Sequence, residues 1–296
     1  MRLLTLDTVV AATDLTETSD AAVITAARIA AATGASFHVA HVVPDENAAT
    51  AARPRRTEFD QAIRTVFDRA KLAAEPKTHL LSGNPPRAIS SLAGELDADV
   101  VVLGRRGGKH ALTVDRPVGS TAYAFITRTL VPALVVEQPL SVPMQNALVA
   151  VDMSEAARGS LLVAVSWSSA LGESGAGGAT LTVLHVDTGT HVTDRSAHMR
   201  RSVLHDVDVL KRNASSWAGV NVEKLVIENP DPAAAIARHA SKWGAQLVVL
   251  GTRSIAEHRQ SMWGSVSAGV TRASSTPVLL VPPAVWRDHV RDVDPF

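Results

Sequence analysis

The chain of 296 residues contains an internal repeat, and this repeat restricts the folds that the sequence can adopt. Residues 9–23 (VVAATDLTETSDAAV) align with residues 148–162 (LVAVDMSEAARGSLL), and FHVAHVV aligns with LTVLHVD. Later in each copy, DADVVVLGRRG aligns with GAQLVVLGTRS, and GSTAYAFITRTLVPALVV aligns with GSVSAGVTRASSTPVLLV. The length differences between the copies fall in glycine-rich segments, where loops tolerate insertions. We therefore predict two homologous domains, residues 1–140 and 141–296, with a proline-containing linker at 138–146.

Within each copy, short aliphatic runs alternate with longer segments of helical character. In the first copy the runs are TVVAAT, SFHVAHVV, KTHLL, DVVVLG and PALVVE. The last two show no polar alternation, which is typical of strands that helices cover on both faces of a parallel sheet. The segment EFDQAIRTVFDRAKLAAE carries apolar residues at helical spacing, namely Phe59, Ile63, Val66 and Phe67. The sequence predicts the α/β class, with two tandem doubly wound, parallel five-stranded sheets.

Charge and composition limit the partners of such a protein. The chain has 29 Lys and Arg residues against 29 Asp and Glu residues, so no net field favours nucleic acid or an anionic membrane. It has no cysteine, which excludes disulfides and thiol catalysis and fits a reducing compartment. We expect neither a membrane span nor a secretory signal, because no apolar run is long enough for either. The expected protein is cytoplasmic and contacts neither nucleic acid nor membrane.

A glycine-rich loop follows the fourth predicted strand and ends at a predicted helix. Gly104 and Gly107 let backbone N–H groups approach an anion without a Cβ in the way. Gly119, Ser120 and Thr121 open the helix, where free N–H groups and the positive end of the helix dipole favour a phosphate. In an open parallel sheet, ligands collect at the carboxyl ends of the strands. The loop is therefore a candidate phosphate site, and the alternative interpretation is a turn with a structural role only.

The first and second predicted strands also end at candidate ligand residues. Asp14 follows the first strand, and His41 and Val42 lie near the end of the second. The corresponding candidates in the second copy are Asp152, Val186, Gly251, Ser254, Gly264, Ser265 and Val266. For Asp14 and Asp152 a second interpretation stays open, because aspartate is also a favourable helix cap.

These ordered motifs resemble the universal stress protein (UspA) family in its tandem form, and the resemblance covers nearly the whole chain. The ATP-binding branch of that family carries the signature G-x2-G-x9-G-[ST] and an aspartate after the first strand. The resemblance implies a Rossmann-like, adenine nucleotide alpha hydrolase-like fold that binds ATP, with or without Mg²⁺. It also implies that the two domains pair as an intramolecular pseudo-dimer, and it allows a homodimer.

The resemblance assigns roles by position. The aspartate and the valine backbone would face adenine, and the glycines and the serine would face ribose and phosphates. Two departures from the signature stand out. Eleven residues, including Pro117, separate Gly107 from Gly119 in the first copy. The second copy keeps the spacing of nine residues but has Ser254 where a glycine is expected.

The function implied by the resemblance is that of a nucleotide-dependent regulator or sensor in the stress response, with little or slow hydrolysis. The P-loop pattern G-x4-G-K-[ST] is absent, and we predict no catalytic residue. Slow turnover, or autophosphorylation at Ser120 or Thr121, stays open. The cations of the two loops either meet phosphates or form a solvated surface: Arg105, Arg106, Lys109 and Arg253. The alternative function is a dimerising interaction scaffold of the same fold that binds no nucleotide.

The chain has eleven histidines, but their spacing does not predict a metal site. His191, His198 and His205 are seven residues apart, which places them near one face of a helix as a surface stripe. His41 and His185 lie in strands of buried character and are interpreted as hydrogen-bonded structural residues. We therefore predict no metal ligand among the protein side chains.

Overall fold

The computed structural model describes residues 3–43, 56–73, 75–105, 118–152, 155–173, 178–189, 205, 207–209, 212, 218–252 and 263–285. The chain divides into two compact units. The first unit is Leu6–Ser141, and the second is Val142–Phe296 together with Met1–Thr5. The N–H of Leu4 donates to Ser166 Oγ (3.0 Å), so residues 3–5 group with the second unit, whereas the repeat alone places them in the first domain.

The first unit alternates strands and helices, as its sequence predicts. Its elements are β1 (Thr8–Ala12), α1 (Glu17–Thr33), β2 (Ser36–Val43), α2 (Arg56–Ala70), β3 (Lys77–Ser82), α3 (Pro85–Glu95), β4 (Val100–Gly104), α4 (Ser120–Ile126) and β5 (Ala133–Val136). The strands lie in the order β3-β2-β1-β4-β5, and every neighbouring pair is parallel.

The second unit repeats this arrangement. Its described elements are β6 (Asn146–Ala150), α5 (Glu155–Leu171), β7 (Ala179–Asp187), β8 (Val220–Glu228), α6 (Pro232–Lys242), β9 (Leu247–Gly251), α7 (Ser265–Ala273) and β10 (Val278–Val281). The order β8-β7-β6-β9-β10 is again parallel throughout. The predicted α/β class and the two tandem parallel sheets are confirmed.

Local sequence explains where these elements begin and end. The apolar positions predicted on α2 are all buried, because helical spacing places them on the face that packs on the sheet. Gly34 ends α1 in the left-handed region (φ 77°), and its N–H donates to Ala30 O (2.8 Å). Asn84 and Asp231 cap α3 and α6 with their side chains, ahead of prolines that suit the first helical turn. None of the helices in the described part of the chain is long and apolar enough to cross a bilayer.

The strand order creates one position in each sheet where a ligand crevice is expected. In the first unit, β1 lies between β2 and β4, so the chain leaves β1 towards one side and later returns on the other. In the second unit, β6 lies between β7 and β9 in the same way. Crevices open at the carboxyl ends of strands where the connections diverge like this. The candidate residues follow these strand ends in both units.

Candidate functional site

Strand β2 extends beyond its neighbour β1 at the carboxyl edge of the first sheet. Ala12, the last residue of β1, pairs with Ala40, and the N–H of Thr13 donates to Ala40 O (2.9 Å). In a parallel ladder, alternate residues turn their peptide groups to the same neighbour. The N–H and C=O of Val42 therefore face the side from which β1 has departed, while its side chain is buried. This edge presents a backbone donor and acceptor to the crevice.

A histidine fixes the point at which the chain leaves β1. His41 Nδ1 donates to Thr13 O (2.9 Å), which defines the tautomer of the ring because a carbonyl only accepts. Thr13 Oγ1 forms a hydrogen bond with Ser19 Oγ (2.8 Å) and accepts from the N–H of Leu15 (3.0 Å). Leu15 has a positive φ of 63°, which marks a sharp turn. The structural interpretation of His41 is confirmed.

Asp14 lies on this turn with its side chain exposed. Its Oδ1 accepts from the N–H of Thr16 (3.1 Å) and from Thr16 Oγ1 (2.5 Å). The N-cap residue of α1 is Thr16, so the interpretation of Asp14 as the helix cap is wrong. Asp14 instead forms an Asx turn with Thr16, directly after the chain leaves β1.

The fourth strand ends at the glycine loop. Gly104 is half-buried and pairs with Val136, and the N–H of Arg105 donates to Val136 O (2.7 Å). The N–H of Gly119 donates to Arg105 O (2.9 Å), so the two ends of the loop are joined by their backbones. Gly119 is buried and is the N-cap of α4, with φ −54°. This junction holds the start of α4 against the end of β4.

The side chains at the start of α4 differ in exposure. Ser120 is exposed and Thr121 is half-buried. Arg105, a candidate phosphate cation, is 8% exposed and its Nη1 donates to Glu137 Oε2 (2.6 Å). Arg105 is therefore a buried ion-pair residue and does not belong to a solvated surface. Gly107, Arg106 and Lys109 lie outside the described residues.

The second unit reproduces the histidine bond and the strand overhang. The N–H of Val151 donates to Leu184 O (2.9 Å), and β7 continues three residues further to Asp187. His185 Nδ1 donates to Val151 O (2.9 Å), so its predicted structural role is confirmed as well. Val186 is half-buried and turns its peptide groups towards the side that β6 has left. Asp152 directly follows this junction and is exposed.

The second glycine junction also matches the first. Gly251 pairs with Val281, and the N–H of Thr252 donates to Val281 O (2.8 Å). Gly264 is buried and is the N-cap of α7, with φ −68°. Ser265 is exposed and Val266 is half-buried, the same pattern as at the start of α4. Ser254 and Arg253 lie outside the described residues.

Strand register brings the candidates to one edge in each unit. Ala12 pairs with Leu103, which sets Gly104 level with the turn at Thr13. Ala150 pairs with Leu250 and does the same for Gly251. The backbone of the overhanging strand, the aspartate turn and the glycine of the fourth strand therefore lie at one edge of the sheet, where a ligand crevice is expected. Thr13 and Leu15, which shape the turn, were not predicted as site residues, because their role depends on a tertiary hydrogen bond and a positive φ.

The described residues give no support for a metal centre. They contain no group of three or more His, Asp or Glu side chains arranged to hold a metal ion. Of the predicted histidine stripe, His205 is exposed, and His191 and His198 lie outside the described part of the chain.

A duplicated, doubly wound parallel sheet with a glycine junction at each switch point defines a tandem Rossmann-like α/β protein. Residues 5–137 and 144–282 both match the sequence model of the Universal stress protein family, and the chain belongs to this family. It is 33% identical over 118 residues to the universal stress protein YxiE of Bacillus subtilis (strain 168), which covers 35% of this chain and 79% of that protein.

Two solved structures share the fold along nearly the whole chain. A universal stress protein from Archaeoglobus fulgidus DSM 4304 superposes with a TM-score of 0.64 at 18% identity, covering 95% of this chain and 97% of that one. A functionally unknown protein from Pseudomonas aeruginosa PAO1 gives a TM-score of 0.60 at 14% identity, covering 96% and 95%. At these identities the similarity establishes the two-domain fold.

Proposed function

We propose that the chain binds ATP at the carboxyl edge of each sheet and acts as a nucleotide-dependent regulator or sensor in the stress response. The observation that carries this proposal is the repetition of one edge geometry in two units with different sequences. Both units combine a strand overhang, a histidine bond to the departing chain, and a buried N-cap glycine followed by an exposed serine. A turn with only a structural role does not require all three features to persist together.

The adenine end of the nucleotide would meet the overhanging strand. The peptide groups of Val42 and Val186 supply one donor and one acceptor each, which is the pattern that an adenine edge needs. The carboxylates of Asp14 and Asp152, which follow the ends of β1 and β6, would accept hydrogen bonds from the exocyclic amine or from ribose. Because the backbone supplies half of these contacts, the site tolerates wide side-chain variation.

The phosphates would lie over the glycine junction. The first N–H groups of α7 are free of helix partners, and the dipole of this helix is positive at Gly264. Ser265 and Ser120 add exposed hydroxyl donors at equivalent positions. Gly104 and Gly251 keep Cβ atoms away from the strand ends, so the phosphate chain can approach the backbone.

Turnover would be slow or absent. His41 and His185 each use one ring nitrogen to hold the backbone carbonyl of the departing chain. These bonds give both rings a structural role, and we propose no general base among the site residues. The absence of cysteine from the sequence supports a reducing, cytoplasmic location for this function.

The test is a calorimetric titration of ATP, with and without Mg²⁺, into the nucleotide-free full chain. Gly119→Ala and Gly264→Ala each add a Cβ at an N-cap whose φ (−54° and −68°) alanine adopts without strain. Each variant is expected to abolish binding at its own unit, and the double variant to abolish it entirely. Gly94→Ala is the matched control, because a Cβ at this helical glycine meets no atom within 4 Å.

Two results would contradict the proposal. One is ATP binding that persists unchanged in the double variant, since the glycine junctions would then not form the phosphate subsites. The other is a wild-type chain that binds no ATP, which would leave the interaction scaffold as the function.

A further inference from the structure

The second unit has a cavity at the opposite, amino-terminal edge of its sheet. The cavity measures about 340 Å³, and six residues that line it are Asn146, Leu148, Thr180, Thr182, Glu223 and Trp243. Strand register places Asn146 beside Thr180, and Thr182 beside both Leu148 and Glu223, so they share one face of the sheet. From Asn146 to the far end of β6 at Ala150 is about 13 Å at the usual rise per residue. This cavity is therefore separate from the nucleotide crevice.

The first unit fills the corresponding space with side chains. Its counterpart of Thr182 is His38, which lies three residues before His41, just as Thr182 lies three before His185. His38 is 4% exposed; its Nδ1 and His79 Nε2 are 2.9 Å apart, and its Nε2 and Ser36 Oγ are also 2.9 Å apart. The two rings stack with centroids 5.1 Å apart. Replacement of this bulk by a threonine leaves room for a ligand in the second unit.

The charge at this edge is also reversed between the units. The β3 residue paired with His38 is Lys77, whereas the β8 residue paired with Thr182 is Glu223. The next residue along β8, Lys224, donates to Asp208 (2.5 Å). Glu223 forms no ion pair with any residue in the described ranges. Among the described residues, therefore, the cavity carries a carboxylate that no cationic side chain neutralises.

An indole completes the cavity. Trp243 is the C-cap of α6, where the first unit has Leu96 at the end of α3. Its side chain is held edge-to-face against His239, with centroids 5.6 Å apart and an interplanar angle of 85°. Trp243 is nevertheless 38% exposed, although it is one of the largest apolar side chains of the unit. A fixed and accessible indole beside a carboxylate favours an organic cation through cation–π attraction.

We propose that this cavity is a second ligand site, which binds a small organic ammonium ion between Glu223 and Trp243. The carboxylate balances the charge, the indole face receives the alkyl groups on nitrogen, and Thr180, Thr182 and Asn146 supply hydrogen-bonding groups to the remainder of the ligand. The volume lies at the lower end of the range for small-molecule pockets, which favours a compact ligand. This binding site belongs to the second unit and has no counterpart in the described part of the first.

The test is a ligand-observed NMR titration of the full chain with choline and with its uncharged isostere dimethylbutanol. Choline is expected to bind and the isostere to bind far more weakly. Glu223→Gln removes the charge at a surface position and is expected to weaken choline binding about fivefold. Trp243→Leu introduces the residue of the first unit and is expected to abolish binding. Glu228→Gln, an exposed carboxylate at the other end of β8, is the matched control and leaves the affinity unchanged.

Three outcomes would overturn the proposal. The first is a wild-type chain that does not bind choline. The second is equal binding of choline and its isostere, because the charge would then contribute nothing. The third is an equal loss of affinity in Glu223→Gln and Glu228→Gln, which would indicate diffuse attraction by surface charge. Glu223→Gln changes no buried contact, so its result stands even if Trp243→Leu proves poorly folded.

Discussion

At the scale of single residues, His41 and His185 hold the backbone where the first strand of each unit leaves the sheet. Each ring nitrogen replaces a ladder hydrogen bond that the departing strand no longer makes, and each bond measures 2.9 Å. The carbonyl of Thr13 or Val151 is thereby satisfied at the point where the sheet opens. The peptide groups of the following valine remain directed at the crevice. In each unit, one histidine thus satisfies the carbonyl of the departing chain, while the peptide groups of the next residue stay available to a ligand.

His38 and His79 make the first unit sensitive to acid. Burial is the main cause that lowers the pKa of His38, followed by the charges of His79 and Lys77. Burial also lowers the pKa of His79, as do the charges of Arg56 and Lys77, while Glu95 opposes them. Both rings therefore bind fewer protons in the folded state than in the unfolded state, where the pKa is about 6.5. Their contribution to stability is complete above that pH and is lost as the pH falls from it through the lower pKa values of the folded state.

We predict that the denaturant concentration at the unfolding midpoint of the first unit decreases when the pH is lowered from 7.5 to 5.5. The double variant His38→Thr, His79→Leu carries the residues of the second unit, Thr182 and Leu225, and should flatten this dependence. A pH profile of the first unit that the double variant leaves unaltered would contradict the assignment to this pair.

Several residue roles were not predictable from the sequence. The run TDLTETS indicates a polar turn, but only the structure shows that Thr16, and not Asp14, is the N-cap residue of α1. Arg105 is a loop cation in the sequence, and its buried bond to Glu137 depends on two strands that are distant in the chain. Such roles follow from tertiary neighbours, which local patterns do not encode.

At the scale of elements, the pattern of apolar residues was sufficient to predict the strands of the first unit and the buried face of its second helix. The five aliphatic runs predicted in the first copy are β1 to β5, and the four apolar positions of the second predicted helix are its buried face. These predictions succeed because a strand covered on both faces leaves a continuous apolar run in the sequence. The cavity beside Trp243 was not predicted, because it arises from the loss of bulk at Thr182 and not from a motif.

The packing of α6 against α7 depends on a glycine. A Cβ on Gly269 would lie 2.6 Å from Ala233 Cβ, so the helices approach too closely for any side chain. We predict that Gly269→Ala destabilises the second unit by about 1–3 kcal/mol, measured by denaturant unfolding. Gly94→Ala, which meets open space on α3, should be neutral or stabilising by up to about 1 kcal/mol. Equal stability of the two variants would show that the helices separate without cost.

At the scale of the whole molecule, the described parts of the two units share one arrangement at the carboxyl edge and differ at the amino edge. The carboxyl edges keep the same strand overhang, histidine bond and glycine junction. The amino edges differ in side-chain bulk and in the sign of their charge. The positions of His38 and Lys77 in the first unit correspond to those of Thr182 and Glu223 in the second. Backbone geometry is therefore common to both units, while side-chain chemistry is free to specialise. This contrast supports our two proposals, namely ATP at the carboxyl edge of both units and an organic ammonium ion at the amino edge of the second unit.

The most direct test of the central claim is to denature the purified full chain, identify any released nucleotide by mass, and count it per chain. We expect ATP, with one molecule for each unit, because both carboxyl edges present the same backbone groups. Release of no nucleotide, together with no ATP binding by the stripped chain in the presence of magnesium, would contradict it.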